Sequence, residues 1–541
     1  MSLFSIGLSG LNAARNAFNA TSNNISNVYT PGYNREVVML GEHAAGQGVK
    51  VDEVQRQFDR YVATQLNTAN SKSSALDTYQ TQIGQIDDLL ADQDAGLAPL
   101  MQNFFSAIAD LAGSPSDPAA RQGVIGSADT LGAQFRSFDQ YLADMADGID
   151  GQLHDETTQI NNIARQIANL NKQVALARAK QGEAPNSLLN QRDQLVADLS
   201  TRVDIRASVQ DGGSYNISIG NGQPLVSGEH QFDLTTMRSS ADPTRTVVGY
   251  RDSAGNLIEL ADDTFSGGTL GGLMTFRNES LEPTRNRLGQ LAVSFAAGIN
   301  AVHRAGLDDN GDAGGDMFTV GAPRVFGNAH NAGSAGMSAT FDVAAADDLT
   351  AADYDVRYDA ANQHFEVTRR DTGEHVSVAL DDDNRLHFGG VVVQVDDPAG
   401  LADGDRFLVQ PTRAAAGGFE NRIHDTDQIA AAGASGGSGN NETALALENL
   451  QTQSLVGGTA SFNQAYAAMV GDVGNRTNIV KVNLAAQQGL SDQLQAVQQS
   501  ESGVNLDEEA ANLLRFQQYY QANAKVIQAG SSILDAILGL R

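Results

Sequence analysis

One short segment places a serine where a hydrolase would need it. Residues 433–437 read Gly-Ala-Ser-Gly-Gly, which fits the G-x-S-x-G turn that presents a nucleophilic serine in hydrolases. That turn needs a hydrophobic strand before the serine and a helix directly after it, whereas alanines precede this segment and further Gly and Ser follow it. We therefore predict a linker at residues 433–441 rather than a nucleophile.

A second segment resembles part of a calcium-binding loop. Residues 308–312 read Asp-Asp-Asn-Gly-Asp and supply oxygen ligands at the first, third and fifth loop positions. The loop also needs glycine at the sixth position and glutamate at the twelfth, where this chain has Ala313 and Thr319. We predict a solvated turn, and whether residues 308–316 bind an ion stays open.

The other residue types that commonly carry chemistry are scattered or missing. The chain has no Cys, which excludes thiolate nucleophiles, disulfides and thiolate metal sites. Its nine His show no HExxH spacing, and no glycine-rich phosphate-binding motif is present. Neighbouring acids such as residues 381–383 are more often solvated loop charges than a glycosidase pair in so acidic a chain. We predict no catalytic residue, no cofactor and no metal ligand, and hence a protein that is not an enzyme.

The overall charge limits the kinds of partner. The 541 residues include 35 Lys and Arg against 65 Asp and Glu, which gives a formal net charge of -30. A surface this acidic repels phosphate backbones and anionic lipids, and no apolar run approaches the length of a membrane span. We therefore expect neither nucleic acid nor membrane as a partner. The first residues also lack the basic stretch of a cleavable signal peptide, so any export would follow another route.

The strongest periodicity lies at the two ends of the chain. Apolar or small residues recur at heptad spacing over residues 3–28, which predicts an amphipathic helix. A second such helix is predicted over residues 506–538, with Asn505 as its N-cap and three acidic residues in its first turn. The large apolar side chains of the two stripes are Leu11, Phe18 and Ile25 in the first helix, and Leu506, Leu513, Tyr520, Ile527 and Leu534 in the second.

Such stripes have two interpretations. An apolar stripe on a helix usually packs inside its own chain. Two long stripes at opposite ends, flanked by polar residues, could instead supply contacts between subunits, as coiled-coil seams do. Periodicity alone leaves the two interpretations equally open.

Between these ends, helical and strand patterns alternate. A helical pattern covers residues 59–90, and a long helix after Pro118 with a return helix over residues 187–200 predicts a helical hairpin. Period-two alternation then predicts β-rich segments at 203–275 and 340–412. The predicted fold class is α+β and multidomain, with paired coiled-coil-like terminal helices, a central helical hairpin bundle and two inserted β-rich domains.

These patterns divide the chain into consecutive segments. They are 1–58, an N-terminal helix and extended segment; 59–202, the helical hairpin region; 203–275, a β-rich insert; 276–339, a helix and a Gly/Asp loop; 340–412, a second β-rich insert; 413–500, return helices; and 501–541, the C-terminal helix. Because the β-rich segments are inserted into a helical frame, the two termini should lie side by side.

Three motifs resemble those of one protein family. Ser-Gly-Leu-Asn-Ala at 9–13 is followed by Ser-Asn-Asn-Ile-Ser-Asn at 22–27 and Thr-Pro-Gly-Tyr-Asn-Arg at 30–35. Together with residues 502–524, these are similar to the terminal signatures of the bacterial flagellar axial proteins. Residues 170–173 and 186–195 resemble the hairpin of the hook-associated protein 1 family. The motif residues expected to matter are Asn23, Asn24, Gly32, Tyr33, Asn505, Leu506 and Glu509.

The resemblance implies a structural subunit at the distal end of the hook, joining hook to filament. It also implies secretion in an unfolded state through the flagellar type III apparatus. The expected partners are the hook protein, the second junction protein (hook-associated protein 3), other copies in a ring, and an export chaperone at the C-terminal helix. The eight stripe residues would then form the assembly interface. A surface adhesin or a hydrolase domain carried on the β-rich segments remains the alternative function.

Overall fold

The computed structural model describes residues 3–43, 48–92, 96–210, 212–220, 222–252, 254–437 and 439–539. The α-helices are α1 Leu3–Ser26, α2 Arg60–Leu90, α3 Leu97–Gly113, α4 Pro118–Gln181, α5 Asn186–Arg202, α6 Gly268–Phe276, α7 Glu282–Ala305, α8 Glu442–Asn449, α9 Phe462–Ser502 and α10 Leu506–Leu538. The strands are β1 Glu36–Glu42, β2 Val49–Arg56, β3 Ile205–Val209, β4 Tyr215–Ile219, β5 Gln223–Ser227, β6 His230–Gln231, β7 Leu234–Arg238, β8 Thr246–Arg251, β9 Leu257–Glu259, β10 Phe318–Thr319, β11 Arg324–Gly327, β12 Met337–Phe341, β13 Tyr354–Asp359, β14 His364–Arg369, β15 His375–Val378, β16 Arg385–Phe388, β17 Val391–Val395, β18 Arg406–Gln410 and β19 Glu420–Asn421. The predicted α+β fold class is confirmed.

Polar side chains explain where several helices begin. Asp59 accepts hydrogen bonds from two backbone N–H groups in the first turn of α2, at 2.7 and 3.1 Å. Ser461 and Gln464 form a reciprocal capping box at the start of α9. Asn505 accepts from two first-turn N–H groups of α10, as the sequence predicts. These caps satisfy backbone donors that have no partner within the helix.

The long helix α4 and the return helix α5 form the predicted hairpin. α4 starts at Pro118, runs for 64 residues and ends where Gly182 adopts a left-handed conformation with φ of 80°, which side chains with a Cβ disfavour. α5 folds back along α4, and α2 packs lengthwise against α9. Rings from separate segments meet in the centre of this frame, with neighbouring centroids 4.6–6.1 Å apart: Phe104, Phe105, Phe135, Phe295, Phe318, Phe419 and Phe462.

The first β-rich insert is fused to the helical frame. Its strands form two antiparallel sheets, ordered β3-β4-β5-β6 and β7-β8-β9. Ile217, Val226 and Val248 are buried and belong to the same hydrophobic core as the helices. This insert therefore folds onto the hairpin rather than standing apart from it.

The second β-rich insert is built around a second hydrophobic core, to which Val293 of α7 also contributes. Its sheets are ordered β11-β18-β13-β14-β15 and β12-β17-β16, and side chains from both sheets, including Phe365 and Val393, share one core. The chain enters and leaves this insert at adjacent points, because Gly321 donates a backbone hydrogen bond to Ala415 at 3.0 Å. It is a two-layer domain inserted into the frame.

Three predicted segment boundaries differ from the structure. Residues 268–275, the end of the segment predicted as β-rich (203–275), belong to α6, because packing against α2 overrides the low helix propensity of its glycines. β11 and most of β12 precede the boundary predicted at residue 340, since such short strands show too little alternation to be recognised. Within the predicted return helices, the described part of 413–441 contains no α-helix. None of the helices in the described ranges is long and apolar enough to cross a membrane.

Candidate assembly site at the terminal helices

The helices at the two ends of the chain lie side by side, as the nested organisation predicts. α1 and α10 run antiparallel, since Gly7 faces Ile527 and Gly10 faces Asn523. A Cβ atom on Gly7 would lie 2.7 Å from the Ile527 side chain, and one on Gly10 would overlap the amide of Asn523. Glycine at these positions allows the two backbones to approach closely.

The contact between α1 and α10 combines small residues of α1 with half-buried members of the predicted stripe, since Ile527 packs onto Gly7. The buried residues of α1 are Gly7, Gly10, Ala13, Ala14, Ala17, Ala20, Thr21 and Asn24. Phe18 is exposed, and Leu11 and Ile25 are half-buried. On α10, Leu513 and Ile527 are half-buried. The exposed stripe residues of α10 are Leu506, Tyr520 and Leu534.

A buried polar network joins the end of α1 to the start of α10. The side-chain amide of Asn24 donates to Glu509 Oε2 at 3.2 Å and to the carbonyl oxygen of Glu36 at 2.9 Å. Asn24 Oδ1 accepts from the Tyr33 hydroxyl at 2.8 Å and from the Glu36 N–H at 2.9 Å. Asn24 and Glu509, which are 485 positions apart, are each 1% exposed. The network thus satisfies polar groups that would be costly to bury alone.

Arg35 supplies the positive charge that balances the buried Glu509. Its Nε donates to Glu509 Oε1 at 2.7 Å, and its Nη1 lies 2.9 Å from Glu508 Oε2. Its backbone N–H also donates to the carbonyl oxygen of Ser502, at the end of α9, at 2.9 Å. Arg35 therefore holds the loop after α1 against both C-terminal helices.

The electrostatics of this network keep Tyr33 neutral. Burial, together with the nearby carboxylates of Glu36 and Glu509, raises the pKa of the Tyr33 hydroxyl well above its ordinary value. The hydroxyl therefore stays protonated and continues to donate to Asn24.

The loop that follows α1 docks onto the hairpin. Gly32 has φ of 74°, and a Cβ atom there would lie 2.8 Å from the Gln194 side chain on α5. Asn34 donates to Asn190 Oδ1 on the same helix at 2.8 Å. Glycine at residue 32 is thus required both by backbone conformation and by the close approach to α5.

The hairpin in turn holds the first β-rich insert. The Arg192 guanidinium lies 3.6 Å from the centre of the Tyr215 ring and donates to the carbonyl oxygen of Gly213 at 2.7 Å. The Tyr215 hydroxyl donates to Asp193 Oδ1 at 2.7 Å, and Asp193 Oδ2 lies 2.6 Å from Arg56 Nη1. Polar contacts therefore connect the terminal helices, the hairpin and the insert.

The structure gathers most of the predicted motif residues. Asn24, Tyr33 and Glu509 meet in the buried network, Gly32 packs beside it, and Asn505 caps the helix turn that carries Glu509. Three motif residues are exposed: Asn23, Asn505 and Leu506.

Sequence reasoning did not single out the two arginines of this region. Arg35 ends the motif at residues 30–35, and Arg56 ends β2. Lys and Arg are few in this acidic chain. The arginine at the end of the motif at residues 30–35 was therefore the sequence feature that could have indicated an ion pair with a carboxylate.

The segments considered for chemistry form ordinary loops. Ser435 Oγ accepts from Asn440 Nδ2 at 2.7 Å, and the next helix begins only at Glu442. Asp308 Oδ1 accepts two backbone N–H groups of its own loop at 2.9 Å each. Among the residues that the structure describes, no group of three His, Asp or Glu side chains could hold a metal ion.

Sequence comparisons decide the family. The family models "Flagellar hook-associated protein FlgK helical domain" and "Flagellar hook-associated protein 1, D2-like domain" match residues 83–318 and 326–411. "Flagella basal body rod protein" and "Flagellar basal body rod FlgEFG protein C-terminal" match 4–34 and 498–540. Flagellar hook-associated protein 1 of Salmonella typhimurium is 41% identical over 556 residues and that of Escherichia coli K12 is 41% identical over 551 residues, each covering 100% of both chains. The chain belongs to the flagellar hook-associated protein 1 family.

A solved structure agrees with this membership. The flagellar hook junction protein FlgK from Burkholderia pseudomallei is 28% identical, with a TM-score of 0.76 over 81% of this chain and 100% of that chain. As a member of the hook-associated protein 1 family, the chain is an exported structural subunit of the bacterial flagellum at the hook-filament junction, and it is not an enzyme.

Proposed function

We propose that this hook-associated protein 1 family member assembles into the junction through its terminal helices, which pack against those of neighbouring copies in a ring. One observation carries this proposal. α1 and α10 pack closely at Gly7 and Gly10 and leave large apolar side chains, among them Phe18, Tyr520 and Leu534, exposed on the pair. Exposed apolar stripes on a helical pair are typical of subunit contacts.

Burial of apolar side chains should make the α1–α10 pair more stable in an assembly than in a single chain. Fully burying a large apolar side chain contributes about 1.5–3 kcal/mol, and Tyr520 is 42% exposed in the single chain. An isolated helix is marginally stable without tertiary packing. Contacts with neighbouring copies would therefore stabilise the terminal helices, in line with the eight stripe residues proposed as the assembly interface.

The same stripe suits a chaperone before assembly. A chain exported unfolded must keep the apolar face of α10 from aggregating, and a dedicated export chaperone that binds this face would do so. The absence of Cys means that no disulfide can obstruct threading through an export channel. In the assembled flagellum, the proposed neighbours are the hook protein on one side and hook-associated protein 3 on the other.

The alternative functions receive no support from the relatives. An adhesin or a hydrolase would place its activity on the β-rich inserts. One of these inserts is matched by a family model of hook-associated protein 1 itself, and the similar proteins reported above are flagellar structural proteins.

A charge placed on the stripe tests the proposal. Tyr520→Asp should abolish filament retention in cells that lack their own copy of this protein, because it buries a carboxylate between packed helices. Gln518→Asp is the control, since it adds the same charge at an exposed position on the opposite side of α10. Cells that receive this variant should retain filaments as well as cells that receive the unmodified chain. Secretion of each variant is measured in parallel, since chaperone binding uses the same face. Filament retention with secreted Tyr520→Asp would refute the proposed interface.

A further inference from the structure

One whole side of α9 between residues 475 and 500 is exposed and carries no charge. At 100° per residue, this side covers an arc of roughly 140°. Its members are Asn475, Asn478, Ile479, Val482, Ala485, Ala486, Gly489, Leu490, Gln493, Ala496, Val497 and Ser500, all of them exposed. We call it the uncharged face of α9. The helix packs onto α2 through its other side, with Val480 and Leu484 buried there.

This face differs from an ordinary solvated helix surface. Val482 is 60% exposed, Ile479 49% and Leu490 45%. The charged residues of the same stretch, such as Lys481 and Asp492, lie outside the arc. A helix that serves only as a solvated wall normally carries charges on its outer side, so this face is suited to contact another surface.

The pattern on the face fits a helix as the contacting element. Ile479, Val482, Ala486, Gly489 and Gln493 follow each other in steps of three and four, which is the spacing of a coiled-coil seam. Gly489 and Ala486 are small residues, so the backbone of a partner helix can come close. α10 approaches α1 in this way at Gly7 and Gly10.

We propose that the uncharged face of α9 docks a helix of a second copy of this chain in the assembled junction. Two copies that each carry a net charge of -30 repel one another, and they can approach most easily where neither surface is charged. α1 meets this condition, because Arg15 is the one charged residue in its sequence. α9 also leads directly into α10 across residues 503–505, so the face lies on the helix that immediately precedes the proposed terminal-helix interface. The inference rests on the proposed function and extends it beyond the terminal helices.

Photo-crosslinking identifies what covers the face. A photoreactive amino acid is placed at residue 482, and in a matched control at residue 488, which is exposed on another side of α9. Irradiation of cells with assembled flagella should give a product of twice the chain's mass from position 482 and much less from position 488. A product with a different flagellar protein, or equal yields from both positions, would overturn the proposal.

A pair of charge substitutions gives an independent test. Val482→Asp should reduce filament retention at least tenfold, whereas Gln488→Asp should leave it unchanged, and both monomers should unfold at the temperature of the unmodified chain and be secreted normally. Normal filaments with Val482→Asp, in cells where Tyr520→Asp fails, would reject the α9 contact while leaving the proposed function intact. Normal filaments with Val482→Asp and also with Tyr520→Asp would reject the proposed function. A lowered unfolding temperature of the Val482→Asp monomer would show instead that the face belongs to the chain's own core.

Discussion

Replacing Glu509 with glutamine tests whether the buried network fastens the terminal helices to the body of the protein. The substitution keeps the side chain's shape and removes its negative charge. Arg35 then loses the negative charge that lies 2.7 Å from its Nε, in a region where Glu509 is 1% exposed. Glu508→Gln is the matched control, because Glu508 also pairs with Arg35, at 2.9 Å, but its side chain is 58% exposed.

Glu509→Gln should weaken the docking of the terminal helices by several times more free energy than Glu508→Gln. Removing one partner of a fully buried ion pair costs about 3–5 kcal/mol. Arg35 is 18% exposed and keeps Glu508 as a partner, so we expect about 2 kcal/mol for Glu509→Gln, which is a factor of about 30 in the docking equilibrium. The exposed Glu508 pair should contribute about 0.5 kcal/mol, or roughly a factor of two.

Hydrogen exchange on isolated hook-junction assemblies measures the difference in docking free energy between Glu509→Gln and Glu508→Gln. Amides in the first two turns of α10, residues 506–513, should exchange about 30-fold faster in Glu509→Gln and about twofold faster in Glu508→Gln. Filament loss under controlled shear should follow the same order. Equal exchange in the two variants would refute the reasoning, because the buried carboxylate would then contribute no more than the exposed one.

Further perturbations test other parts of the structure. In dilute monomer, amides over 3–26 and 506–538 should exchange rapidly, since the terminal helices lack their neighbours; strong protection there would contradict an interface between copies. Deleting 323–412, which removes the second insert together with both of its sheets, should leave secretion and filament attachment largely intact, because the chain enters and leaves the insert at adjacent points; loss of filaments from a stable, secreted variant would make the insert part of the joint. His303 is buried and accepts the Ala430 N–H at 2.9 Å, and burial lowers its pKa below the unfolded value of about 6.5. Stability should therefore fall as the pH drops below about 6.5, by up to about 1.4 kcal/mol per pH unit, and thermal unfolding of His303→Gln should show a flatter pH dependence than that of the unmodified chain.

The sequence alone determined the local elements and the family. Heptad spacing and the Asn505 cap placed α10 correctly, because capping and periodicity depend on neighbours within one helix. Pro118 and the Gly182 turn bounded the longest helix for the same reason. The terminal motifs indicated the flagellar family because residues such as Asn24 and Glu509 stood in recognisable local patterns.

Only the tertiary structure decided which groups meet across the chain. Periodicity shows which residues share a face, but it cannot show whether the facing helix is close or distant. Glycines at positions 7 and 10 allow α10 to come so near that Ile527 and Asn523 pack onto them, whereas Phe18 is left exposed. The buried pairing of Asn24 with Glu509 joins positions 485 residues apart, and a polar side chain is buried only where folding supplies its partner. α6 likewise forms because α2 packs against it. The helix propensities of its own residues do not account for this helix.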